Sequence, residues 1–358
     1  MDSVIKIIAF YLPQFHPFKE NDDWWGKGFT EWTNVAKAKP LFKGHYQPKI
    51  PADLGFYDLR MPEVRKAQAD LAIEAGVYGF CYWHYWFGEG KTLLSLPFDE
   101  VLKSREPNFP FCLGWANHSW YAKTWDPNLP DKLLIEQRYL GCKDDERHFY
   151  DVLPAFKDSR YIRIDNKPLF LIFKPLNVPN VSDFISQWQL LARKNGLDGI
   201  YFVGQGIESE FKRILSLGFD AINHEEVNKV HAAHNKYVRA LKQIKRVFIN
   251  KPRCYDYLNA MEKMVIPSDS QDNILPTICP NFDHTPRSGM RGLVYTNSTP
   301  ERFKKHASQI LEIVAKKKNQ VVFLKSWNEW GEGNYMEPDL KFGKGYIDAL
   351  REALGKYK

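Results

Sequence analysis

The chain has few of the features that mark membrane-embedded, disulfide-bonded or metal-stapled proteins. Its five cysteines, at 81, 112, 142, 254 and 279, are scattered without a CxxC pair. An odd, unclustered set argues against a disulfide framework and against a structural zinc site. No run approaches the ~20 apolar residues of a membrane span. The opening residues, Met1-Asp2-Ser3-Val4-Ile5-Lys6-Ile7-Ile8, carry no basic region, leader-length apolar stretch or cleavage site. This points to a cytoplasmic protein, or to a periplasmic or secreted one whose leader has been trimmed. Glycine-rich phosphate loops, HxH and HExxH pairs and an Asp-x-Asp are also lacking, so no cofactor, metal or nucleic-acid partner is expected.

The net charge is +7, and part of the excess falls in residues 229–253, which hold eight Lys/Arg and no Asp/Glu. Such a run could attract an anionic membrane surface or a phosphorylated glycan carrier, although a solvated helix face is the commoner reason for one. Aromatics are the surplus, at 15% of 358 residues with 11 Trp. Many stand beside His, Asn and Glu, namely Trp24, Trp25, Trp32, Trp83, Tyr85, Trp86, Trp115, Trp120, Trp125, Trp327 and Trp330. Flat rings beside polar groups suit sugars, which offer C–H faces rimmed by hydroxyls, so several of these rings are expected to line a glycan cleft.

Short apolar runs alternate with helical patterns along the chain. Strands are expected at 4–12, 78–85, 110–116, 168–173, 199–204, 220–224, 275–280 and 320–326. Helices are expected at 62–75, 93–104, 144–156, 181–195, 209–217, 300–318 and 345–354. Pro62 opens the first helix and Gly76 follows its end, the usual start and stop signals. A basic excursion over 228–270, helical but interrupted at Pro252, sits among them. Alternating β and α elements imply parallel strands with helical crossovers, and eight such units predict a single-domain (β/α)8 barrel over 1–358 with elaborated loops. A doubly wound sheet would want glycines after the first strand, where Tyr11-Leu12-Pro13-Gln14-Phe15-His16 stands instead.

Barrel enzymes carry their chemistry at the C-terminal ends of strands. Those ends hold Tyr11 and His16, Trp83 and His84, Trp115, Asn117 and His118, Gln205, His224 to Glu226, Asn281 to His284, and Trp327-Asn328-Glu329-Trp330-Gly331-Glu332. Glycosidic bonds are usually cleaved by two carboxyl groups, and the last loop supplies Glu329 and Glu332. Residues i and i+3 of a helical turn face one way, so both can address one sugar. Their mutual repulsion and the neighbouring rings would raise one pKa and keep that group protonated. Glu225 and Glu226 are reserve acids, of which at most one should enter the cleft. Glu31 could bind a hydroxyl or pair with a base. Arg287 and Arg291 could hold an anion or solvate their loop.

Four segments together resemble the WbsX group, itself similar to glycoside hydrolase family 99. They are Tyr11-Leu12-Pro13-Gln14-Phe15-His16-Pro17, Trp24 to Val35, Gly79 to Phe87, and Trp327 to Gly333. The resemblance spans nearly the whole chain. It implies a (β/α)8 barrel and a metal-free, retaining endo-α-mannosidase or endo-α-mannanase chemistry. In that chemistry one glutamate deprotonates the mannose 2-hydroxyl, which attacks the anomeric carbon to give a 1,2-anhydro sugar. The second glutamate is acid/base for the leaving group and then for water. Carried over, Glu329 is the base and Glu332 the acid/base, with Asn328 near the reacting sugar and Tyr11 as a sugar contact. Gly331 stands where the endo-mannosidases have His. His16, Trp83, His84, Trp115, Asn117, Trp330 and Arg287 join the expected contacts by their place at strand ends.

The function expected is a retaining endo-glycosidase on α-mannoside-like linkages of a microbial polysaccharide. The alternatives are a WbsX-type glycosyltransferase or transglycosylase of O-antigen or capsule synthesis, and a glycan-binding protein with a dead site.

Overall fold

The computed structural model describes residues 5–122, 131–227 and 251–357. Two compact units are formed, one from residues 1–78, 225–272 and 276–358, the other from 79–224 and 273–275.

In the second unit the parallel strands are β2 (Gly79–Trp86), β3 (Phe111–Trp115), β4 (Lys167–Ile172), β5 (Tyr201–Gly206), β6 (Ala221–His224) and β7 (Ile274–Leu275). They lie side by side in chain order, with Cys81 opposite Cys112, Leu113 opposite Phe170, Leu171 opposite Val203, Ile222 opposite Gly204, and Ile222 opposite Ile274 on its other side. Helices over Leu96–Ser104, Cys142–Phe156, Val181–Lys194 and Phe211–Ser216 alternate with them. The strands are buried on both faces, as parallel strands under helices must be, and Leu169 to Ile172 are wholly inaccessible.

In the first unit β1 (Lys6–Tyr11) runs parallel to β9 (Val321–Leu324), and β9 parallel to β8 (Thr277–Ile278). Helices over Pro62–Ala75, Pro300–Val314 and Gly345–Leu354 belong here. Gly76 ends the first of them at φ 83°, and a Cβ there would come within 2.7 Å of Leu354, so both backbone conformation and packing demand glycine. These parallel strands and alternating helices are those of a (β/α)8 barrel.

The expected seventh strand, 275–280, is instead the two short pieces β7 and β8 separated by Pro276. Proline has no N–H to give a ladder and breaks the strand there. Of the basic excursion, residues 228–250 lie outside the described residues. After it, Arg253–Asp256 pairs in parallel with Leu293–Thr296, and Asp256 caps the helix Tyr257–Met264 by accepting from the Asn259 N–H. Among the described residues no helix is long and apolar enough to cross a membrane.

The aromatic surplus serves packing more than expected. Trp32, Tyr85, Trp86, Trp115, Trp327 and Trp330 are all buried, and Trp125 lies outside the described residues. Burying a ring removes 150–250 Å² of largely apolar surface from water, and here that gain is taken inside the units. Trp188 shows the pattern. It is fully inaccessible, its ring meets Phe170, Phe184 and Phe149 at 4.9, 4.6 and 5.5 Å, and its Nε1 donates to Asp145 O. Trp188→Ala should therefore cost about 3–5 kcal/mol of stability, read as a lowered midpoint in urea denaturation followed by near-UV circular dichroism.

Candidate active site

After β9 the chain folds a tight hairpin. Asn328–Glu329 pairs antiparallel with Asn334–Tyr335, and a 3-10 turn, Trp330–Glu332, joins them. Side chains three apart eclipse in such a turn, which brings Glu329 and Glu332 together, and the two carboxyls share a hydrogen bond. Gly333 closes the turn at φ 51°, and a Cβ on it would meet Lys49 Nζ at 2.6 Å and Asp283 Cβ at 2.8 Å. Glu329 is 6% exposed, while the Glu332 side chain keeps 15% of its surface open.

The two carboxyls have unlike surroundings. Burial raises the pKa of Glu329, and the neighbouring Glu332 charge raises it further against the pull of Lys325 and Arg287. Burial also works against the charged form of Glu332, but Arg287, His284 and Lys325 outweigh it and hold that group below the ordinary glutamate range. Glu329 is therefore the member that keeps a proton to higher pH, and Glu332 the one that ionises first. The resemblance assigns the acid/base role to Glu332 instead.

Arg287 makes the difference. Its Nη1 donates to Glu332 Oε1 at 2.6 Å and its Nε to Glu31 Oε1 at 2.7 Å. Glu31, at the start of the helix Glu31–Lys37, is 1% exposed, and burial raises its pKa against the attraction of Arg287. Its carboxylate lies directly over Gly331, where an added Cβ would sit 1.5 Å from Glu31 Oε1 and 3.0 Å from Arg287 Nε. Two further basic side chains complete the group. His284 Nε2 lies 3.6 Å from Glu332 Oε1, with its Nδ1 on Ser288 Oγ at 2.7 Å. Buried Lys325 pairs with Glu225 at 3.4 Å and is held protonated by Glu225, Glu332 and Glu329 despite its burial.

Several expected contacts anchor the hairpin. Asn328 is fully buried and exchanges hydrogen bonds with Leu12, accepting from its N–H at 2.7 Å and donating to its carbonyl at 3.0 Å. Its amide thus clips the hairpin to the end of β1. Trp330 is inaccessible, stacked on Tyr335 at 3.8 Å, and gives its Nε1 to Glu337 at 2.6 Å. Glu337 also accepts from Gln68 Nε2 at 2.6 Å and Tyr57 OH at 2.9 Å, and Tyr11 OH donates to Gln68 at 2.7 Å. Burial raises Glu337 to about 7 against these donors. His16 is 2% exposed, and burial lowers its pKa. A fully enclosed ring or amide has no face to offer a sugar, so the open groups of the site are Glu332, Arg287 and His284, the last two side chains being 24% and 23% exposed, together with the 6% of Glu329 that reaches the surface.

The sequence reading missed the segment His45 to Lys49. His45 Nε2 and Gln47 Nε2 each lie 2.7 Å from Asp283 Oδ2, and Lys49 Nζ donates to Gly333 O at 3.1 Å. Asp283 in turn gives its N–H to Glu332 O at 2.7 Å. This belt fixes the backbone under the acid pair. Its signal was a run of His, Gln and Lys between prolines, with no catalytic motif to single it out.

The remaining expected residues belong to the second unit. His84 Nε2 lies 2.9 Å from His148 Nε2, and burial lowers His84 to about 4. Trp115 is 2% exposed, packed on Phe184 and His148, with its Nε1 on Trp86 O. Asn117 takes the Lys174 N–H at 2.7 Å and gives its amide to Tyr139 OH and Lys174 O. Trp83 is half-buried, edge-on to Phe173 at 5.5 Å. Trp83 and His84 thus keep open surface, and Trp115 and Asn117 are held in packing.

The family described as Glycosyltransferase WbsX matches residues 7–350. The chain belongs to the WbsX family. WxcX of Xanthomonas campestris pv. campestris, an uncharacterized protein, is 37% identical over 97% of this chain, and a second strain's WxcX is 36% identical. The chain spans about half the length of these relatives, 49%. Among solved structures, the GH99 endo-alpha-mannosidase from Bacteroides thetaiotaomicron is similar at a TM-score of 0.57 and 16% identity, covering 98% of this chain and 97% of that one. A glycoside hydrolase-like protein reaches a TM-score of 0.61 at 17% identity, covering 99% and 95%. These likenesses show that the fold of this WbsX-family chain is the (β/α)8 barrel.

The Asp283 belt gives a direct test. His45, Lys49 and Thr285 outweigh burial and lower Asp283 to about 2. A depressed carboxylate stabilises the fold above its unfolded pKa of about 3.9, and that contribution is lost as pH falls toward the folded value. Asp283→Asn should cost about 3 kcal/mol at neutral pH in chemical denaturation, with the gap to wild type closing between about pH 4 and about pH 2.

Proposed function

We propose that this chain is a retaining glycoside hydrolase acting within α-mannoside-like linkages of a microbial polysaccharide. The observation that carries the reading is the Glu329–Glu332 pair, two carboxyls in hydrogen-bond contact whose surroundings drive their proton affinities apart. Oppositely tuned carboxyls are the signature of acid–base division of labour. The motif resemblance supports the mannoside preference, and the solved neighbour with this fold is itself an endo-alpha-mannosidase.

The charge state suggests the order of events. Ionised Glu332 takes the proton of the sugar 2-hydroxyl as that oxygen closes on the anomeric carbon. Glu329 gives its proton to the departing glycosidic oxygen as the old bond breaks. Water then attacks the anomeric carbon of the 1,2-anhydro sugar and gives a proton to Glu329, while Glu332 returns its proton to O2. Two inversions give net retention, and both carboxyls regain their starting states. Because attacking oxygen and anomeric carbon share one ring, the first step is intramolecular and gains from proximity. No carboxylate needs to sit beneath the anomeric carbon.

The family description favours a second reading, a transferase. The same site would serve it if a sugar hydroxyl replaced water in the second half. Incubation with released polysaccharide, with and without nucleotide sugars, decides between them. Turnover in water alone supports the hydrolase, and product only with a donor sugar supports the transferase.

Glu329→Gln and Glu332→Gln should each slow hydrolysis of the natural glycan by about 10²–10⁴-fold. On a glycosyl fluoride, whose leaving group needs no proton, Glu329→Gln should recover most of its rate and Glu332→Gln should not. The reverse pattern would restore the roles implied by the family resemblance. Since the acid must be protonated and the base charged, kcat/KM should fall as pH rises past Glu329, raised to about 7, and hold on the acid side to below the ordinary glutamate range.

A further inference from the structure

The mechanism above uses Glu329 and Glu332 and leaves Glu31 without a task. Yet Glu31 is the most deeply buried acid of the group at 1% exposure, and its carboxylate occupies the space that any side chain at 331 would need. Residue 331 does not have a left-handed φ, so the backbone itself would accept another residue. What excludes one is Glu31 Oε1, 1.5 Å from the position of a Cβ. On its far side Glu31 receives Arg287 Nε at 2.7 Å, while Nη1 of the same guanidinium reaches Glu332 at 2.6 Å. The result is a chain of four groups: carboxylate, guanidinium, carboxylate and carboxylic acid. Facing the acid pair are also His284 and Lys325, the latter paired with Glu225. Asn34 hydrogen-bonds Glu31.

We propose that Glu31 is a positioning residue of the acid pair. It engages Arg287 through Nε, so that the guanidinium meets Glu332 in one orientation and divides its positive charge between two carboxylates. The absence of a side chain at 331 is what makes room for this arrangement. The inference rests on the reading of Glu329 and Glu332 as the acid pair. A guanidinium wholly available to Glu332 would hold both pair members too firmly ionised, and the proton that Glu329 must donate would be lost at lower pH. Glu31 is the counter-charge that prevents this.

The test is a carboxyl titration of the intact protein labelled with [5-13C]glutamate, the two signals being assigned by their loss in Glu329→Gln and Glu332→Gln. It needs no saccharide, so its result and the outcome of the glycan assay are independent. In Glu31→Gln, which keeps the shape and removes the charge, the upper midpoint of the pair should move to lower pH by about one unit, a tenfold loss of proton affinity. Glu31→Asp, which keeps the charge and withdraws it by one methylene, should move it in the same direction by less. Superimposable curves for wild type and folded Glu31→Gln, or an upward move, would overturn the proposal. A lowered melting temperature without a shifted midpoint would reduce Glu31 to a structural ion pair and would overturn it equally. If Glu31→Gln does not fold, Glu31→Asp decides alone, a downward move supporting the proposal and an unchanged midpoint rejecting it.

Discussion

The site depends on one guanidinium placed between two carboxylates. Arg287 reaches Glu31 and Glu332 at once, and a buried cation so placed does two things. It lets two acids share a confined space without both taking protons, and it makes the third acid, Glu329, the natural holder of the proton. Remove the cation, and three acids in one enclosure would compete for protons with Lys325 and His284 left beside them. The tight hairpin, its glycines and its anchoring belt can all be understood as the means of keeping this arrangement in register.

The supports are arranged in two layers. On one side Glu337 gathers Trp330, Tyr57 and Gln68, and through Gln68 the hydroxyl of Tyr11. On the other, His45, Gln47 and Lys49 fasten Asp283 and Gly333. Both layers are buried polar networks tied by side-chain hydrogen bonds, which confer rigidity where they are satisfied; in the second layer Gln47 Oε1 is left without a partner among the described residues. Position is what acid–base chemistry needs most, since proton transfer is effective only within hydrogen-bond reach.

Much of the architecture was legible in the sequence because local chemistry and global fold agree. Pro62 and Gly76 mark the ends of a helix that runs from Pro62 to Ala75, and Gly345–Leu354 falls where its pattern sets it. The seventh strand is shorter than its apolar stretch suggests, because Pro276 divides it. The acid pair was legible because its members are three residues apart, and so local. Glu31 was seen as a candidate for either a sugar hydroxyl or a basic partner, and no pattern could choose, since Arg287 is 256 positions away. Which rings pack and which stay open is not legible: nothing in a sequence distinguishes a tryptophan that faces a cleft from one, like Trp330, with Tyr335 stacked on it.

The belt from His45 to Lys49 has a consequence for how such a protein could be altered. It touches the backbone beneath Glu332 through Asp283 and Gly333 while being remote from the Glu329–Glu332 segment along the chain. A directed-evolution library confined to the loop around Glu329 would explore little, because Gly331 and Gly333 admit no side chain against Glu31, Lys49 and Asp283. Diversity placed at 45–49 would instead tilt the whole turn, so tuning of this site by small steps is easier from its periphery than from its centre.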